Sequence, residues 1–159
     1  MFSTLPRLAL AALISSVTVT SAYAFTADDC LLLQDLVVDS GNSFAATRVE
    51  PPVDDTDDMW TEYTSSRRFS GAEKCDIIVG KTLFNENMTC YFGNIDIPAA
   101  SAFIEGCLGD KVTAIPDEFP EQSARYEFTE PAAGSISLWR PIANLVFRID
   151  RKDPSAEAP

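Results

Sequence analysis

Cys75-Asp76-Ile77-Ile78-Val79 and Met88-Thr89-Cys90-Tyr91-Phe92 are two short runs dominated by β-branched, aromatic and cysteine residues, with Asn85-Glu86-Asn87 between them. They read as the two strands of a β-hairpin, entered through a turn at Ser70-Gly71. Upstream, residues 59–65 have the same composition (Trp60, Thr61, Tyr63, Thr64), and residues 43–49 suit a further strand. Between these two lies Glu50-Pro51-Pro52-Val53-Asp54-Asp55-Thr56-Asp57-Asp58, an acidic loop stiffened by two prolines.

Helices flank this strand block. Phe25-Thr26-Ala27-Asp28-Asp29 reads as a helix start, with Thr26 as cap, Asp28 and Asp29 at the positive end of the dipole and Phe25 stapling against Cys30. Leu33, Leu36 and Val37 continue at core spacing beside Cys30, and Gly41 with Asn42 ends the helix. Pro98 fits the first turn of a second helix, with Ala99, Ala102, Phe103, Gly106 and Cys107 expected on its core face and Gly109 at its stop. Residues 111–115 fit a short edge strand, and residues 122–129 alternate through Ala124, Tyr126 and Phe128. After a turn at Glu130-Pro131-Ala132-Ala133-Gly134, residues 135–150 return through Leu138, Leu145, Phe147 and Ile149. Pro141 has no N–H for a ladder, so it splits that last run or marks a bulge or edge. The expected order is helix, four strands, helix, then two or three strands. That order implies an α+β fold, an antiparallel sheet of about five to seven strands with two helices on one face. One domain spans residues 25–151, and residues 152–159 read as a disordered tail.

All four cysteines (Cys30, Cys75, Cys90, Cys107) fall in that domain, and the chain has no histidine. The spacings hold no C-x-x-C pair, so a zinc site is not expected and two disulfides are. The helical positions of Cys30 and Cys107 favour one bridge, and the hairpin favours Cys75–Cys90. Sequence alone leaves all three connectivities open. Taken together, Cys75-Asp76-Ile77-Ile78, Thr89-Cys90-Tyr91-Phe92, Ala100 to Phe103 and Cys107-Leu108 resemble a pattern of small exported bacterial disulfide-containing proteins of unknown function. The resemblance covers about a third of residues 25–159 and implies a secreted, two-disulfide α+β domain. It brings no activity and no site residue with it.

Residues 1–24 read as a signal peptide: Arg7, an apolar stretch from Leu8, and small residues at Ala22 and Ala24 before the cut. The apolar stretch is shorter than the roughly 20 residues that span a bilayer. The expected location is periplasmic or secreted, with no membrane insertion after cleavage. Without that segment, which holds one Arg and no acid, the formal charge moves from −12 to −13. Such acidity repels nucleic acid and points to a cationic protein or peptide as partner.

Catalytic signals are sparse. Absence of histidine removes Ser-His and Cys-His pairs, bridged cysteines are not nucleophiles, and no phosphate-binding glycine loop is present. No catalytic residue, metal ligand or cofactor is therefore expected. Asp54, Asp55, Asp57 and Asp58 are the candidate partner-binding residues, because they lack the ligand spacing, turn glycine and closing glutamate of a calcium loop. Arg67-Arg68 reads as an edge guard, Trp60 and Trp139 as core rings, and Asn87-Met88-Thr89 matches a glycosylation sequon. The leading expectation is an exported non-enzymatic binding module, of inhibitor or immunity type, engaging a cationic partner. An envelope accessory or structural protein and a carboxylate-based hydrolase are the alternatives.

Overall fold

A computed structural model describes residues 25–81, 86–142 and 144–152. The signal-peptide reading of residues 1–24 and, from residue 153 on, the tail reading of 152–159 lie outside the described residues, as does Asn85 of the expected hairpin turn. The chain runs α1 (Ala27–Ser40), β1 (Trp60–Thr64), β2 (Ala72–Gly80), β3 (Glu86–Phe92), α2 (Ile97–Leu108), β4 (Thr113–Ile115), β5 (Ser123–Phe128), β6 (Gly134–Trp139) and β7 (Leu145–Arg151). A 3₁₀ turn, Gly109–Lys111, follows α2. All strands join one antiparallel sheet in the order β1-β2-β3-β7-β6-β5-β4. The fold is α+β, as expected.

Strand register explains the core. Cys75, Cys90, Phe147, Leu138 and Ala124 form one cross-strand row, and Ile77, Met88, Ile149, Ile136 and Tyr126 form the next. Both rows face the helices, and apart from Ala124 their members are buried. Helix α1 covers them with Leu32, Leu33, Leu36 and Val37, and α2 with Ile97, Ala100, Ile104 and Leu108. Phe25 reaches across to α2, stacking on Phe103 with ring centroids 3.9 Å apart, and meets Phe69 and Phe92 edge-on.

Two of these element readings need correction. Residues 43–49 are a turn instead of a strand. Ser43 and Phe44 adopt φ of 55° and 57°, which drives the Phe44 ring into the core, and Pro51 and Pro52 have no N–H to extend a ladder. What remains is a strap along the edge of β1: Val49 N donates to Thr64 O (2.9 Å), Val53 N to Glu62 O (2.8 Å) and Glu62 N to Asp54 O (2.8 Å). It covers most of an edge that would otherwise template aggregation. Gly41 ends α1, as expected, at a right-handed φ of −61°; a Cβ there would stand 2.9 Å from the Ala132 Cβ, so close approach explains this glycine.

On α2, the predicted core residues Ala99, Ala102 and Gly106 are exposed. Pro98 does lie in the first turn, and the helix is capped by Asp96, whose carboxylate accepts from Ala99 N (2.8 Å). Its buried stripe is Ile97, Ala100, Ile104 and Leu108, with Phe103 and Cys107 at the margin. Of the alternatives that Pro141 left for the return run 135–150, the structure shows the split: β6 and β7 are two strands on either side of it.

Candidate functional site

The acidic loop is tied down by one lysine. Lys81 Nζ lies 2.6 Å from Asp55 Oδ1 and donates to the carbonyls of Asp55 (2.9 Å) and Asp57 (2.8 Å). Thr61 Oγ1 donates to Asp55 (2.9 Å), Thr56 N and Oγ1 to Asp54 (2.8 and 2.7 Å), and Met59 N to Asp57 (2.6 Å). The hydrogen bond from Lys81 holds the Asp55 carboxyl below its ordinary range, and those from Thr56 do the same for Asp54. Asp58 is exposed, and so are Val53 (66 %), Met59 (43 %) and Trp60 (37 %). Three of the four predicted aspartates thus shape the loop as well as charge it, and apolar side chains stand beside them.

The cysteines pair as Cys30–Cys107, linking α1 to α2 with Cα atoms 5.3 Å apart, and Cys75–Cys90, directly opposite in the hairpin at 4.1 Å. Arg67 pairs with Asp35 on α1 (2.9 Å), and Arg68 donates to the Glu73 carbonyl (3.3 Å). The Asn87 of the sequon is buried in β3 and accepts from Thr89 Oγ1 (3.1 Å).

The sheet face away from the helices holds what sequence reasoning missed. Across β5, β6 and β7, register places Arg125, Ser137 and Arg148 in one row and Glu127, Ser135 and Asp150 in the next. The two serines are short and their neighbours long. A cavity of about 430 Å³ opens over Arg125, Glu127, Ser135, Ser137 and Asp150. Arg148 Nε donates to Asp150 Oδ1 (2.6 Å), and Arg125 lies 3.7 Å from Glu127. Burial pushes the Asp150 carboxyl above its ordinary range, against the pull of Arg148 and Arg125. Trp139, one pleat beyond Ser137, lies on this face beside Val146 and is not part of the core; nor is Trp60. Both tryptophans were expected inside, and the alternation of side chains along β1 and β6 puts them out. Each groove residue is an ordinary alternating polar position in its own strand. Only the register of three successive strands gathers them.

Among the described residues, no group of three or more His, Cys, Asp or Glu is placed to hold a metal ion. No helix among them is long and apolar enough to cross a membrane, which together with two disulfides is compatible with an extracellular or periplasmic protein. Comparison with protein-family models, curated proteins and solved structures finds no significant match to this chain.

Proposed function

We propose that this protein is a periplasmic or secreted, non-enzymatic binding module that engages a cationic protein or peptide through its acidic loop. The observation that carries the reading is the Lys81 clamp. It fixes one loop shape in which Asp54, Asp55, Asp57 and Asp58 border exposed Val53, Met59 and Trp60. An apolar centre with a charged rim is the anatomy of a protein interface. A loop already ordered pays little conformational entropy on binding. Clustered exposed carboxylates steer a basic surface toward it, since a Debye length of about 8 Å lets neighbours act together. An inhibitor or immunity-type protein would work in this way.

Affinity capture from periplasm and medium at low and high salt, followed by association kinetics of the captured partner, tests this. Changing Asp58→Asn with Trp60→Ala leaves the Lys81 bonds in place and should slow association and speed release. Asn at all four positions 54, 55, 57 and 58 should flatten the salt slope. Wild-type rates and slope in both variants would refute the proposal.

A further inference from the structure

We propose a second binding site, on the uncovered sheet face over β5, β6 and β7, that takes a neutral saccharide. Among the described residues both helices pack on the opposite face, so this one is open to a ligand. Its cavity of about 430 Å³ falls in the size range of small-molecule sites, roughly 300–1,000 Å³. The lining has the chemistry of polyol recognition. Ser135 and Ser137 each offer one donor and acceptor from the floor, while Arg125 and Glu127 on one wall and Asp150 on the other offer planar, paired donors and acceptors.

Charge selects against the competing ligand classes. Arg125 is matched by Glu127 and Arg148 by Asp150 on their own strands, and Arg151 is turned to Glu86 at 2.6 Å. Lys152 stands at the rim. Each carboxylate there is therefore matched by an arginine, and with Lys152 the groups sum to +1, so a cation finds no surplus carboxylate. The chain at −12 repels an anion at longer range. A neutral ligand rich in hydroxyls keeps these ion pairs intact and bonds to their outer lone pairs and N–H groups. Trp139 stands one pleat beyond Ser137 on the same face, about 7 Å along β6. A sugar ring seated there presents its C–H face to the indole while its neighbour occupies the groove. The acidic loop is elsewhere: β1 and β6 are four strand spacings apart, about 19 Å.

Titration calorimetry with neutral oligosaccharides of glucose and of N-acetylglucosamine tests the site, alongside galacturonate oligomers as the anionic control. In a Trp60→Phe background, which leaves Trp139 as the sole indole, neutral oligosaccharide should shift the fluorescence. Ser137→Leu fills the groove from a half-buried position on the open face, and Trp139→Ala removes the ring. Each should weaken binding at least about tenfold, with circular dichroism and melting unchanged. Asn at 54, 55, 57 and 58 should leave saccharide binding at the wild-type level, so that failure of the partner proposal and failure of this one are separately visible. Absence of heat and fluorescence change with every neutral probe at millimolar concentration overturns the inference. Binding of the anionic oligomer alone overturns it, as does wild-type affinity in Ser137→Leu.

Discussion

Asp29 shows how one side chain does several jobs. It is 3 % exposed, and its carboxylate accepts from Thr26 N (2.7 Å), Thr26 Oγ1 (2.8 Å) and Ser70 N (2.6 Å). Burial alone would raise its pKa; the hydrogen bonds from Ser70 and Thr26 outweigh that and leave it below the ordinary range. The capping half of this was legible, because Thr26 followed three residues later by an acid is a local pattern. The bond to Ser70 was not, since it depends on where a turn 41 residues away comes to rest. Replacing Asp29 by Ala removes the acidic half of the capping box and takes the acceptor from two backbone donors, Thr26 N and Ser70 N, which should cost about 2–3 kcal/mol in urea unfolding. Because the native pKa is depressed, the stabilisation is complete above about pH 5 and is lost as pH falls below about 4, through the native value. Wild type and Asp29→Asn should therefore differ at neutral pH and converge in acid. A difference constant from pH 7 to pH 3 would mean the carboxylate's charge does not act as described.

At the scale of elements, two glycines separate local preference from tertiary fit. Gly106 lies in α2 with nothing within 4 Å of an added Cβ. Gly106→Ala should stabilise the protein by about 0.5–1 kcal/mol, the helix-propensity difference. Gly134 opens β6, and a Cβ there would collide with the Phe128 ring and the Asp150 carbonyl oxygen. Gly134→Ala should destabilise by about 1–3 kcal/mol. The two melting temperatures should move in opposite directions, and a shared direction would contradict the packing. The contrast also explains which elements could be read. Strands β2, β3 and β5 announce themselves by composition and turn residues. The face of α2 does not, because Ala99, Ala100, Ala102 and Gly106 are small residues that read equally well as core or surface. Residues 43–49 have strand composition, but the left-handed pair at Ser43 and Phe44 and the network of Ser43, Glu86 and Arg151 hold them as a turn.

For the whole molecule, alternation and cysteine placement sufficed to read a sheet with helices on one side, because burial of one face is what those patterns encode. The open face was illegible because its polar residues follow the alternation of any outward-facing strand position, and their grouping exists only in the register. One reading from the sequence now meets the packing. Signal cleavage after Ala24 would make Phe25 the first residue. That ring belongs to the cluster of Phe69, Phe92 and Phe103, and Thr26 beside it caps α1. A cut two residues later would remove both the stacked ring and the cap, so the position of cleavage bears on folding. Mass spectrometry of the exported protein should give Phe25 at its N-terminus, with no free thiol on non-reducing alkylation. Phe25→Ala should lower stability by about 2–3 kcal/mol, because the ring is only partly buried and a full core Phe costs about 3–5. Urea unfolding of the mature variant measures this at an unchanged slope. A mature chain beginning at Met1 or at Cys30, or a Phe25→Ala variant as stable as wild type, would separate the processing site from the core and undo the argument.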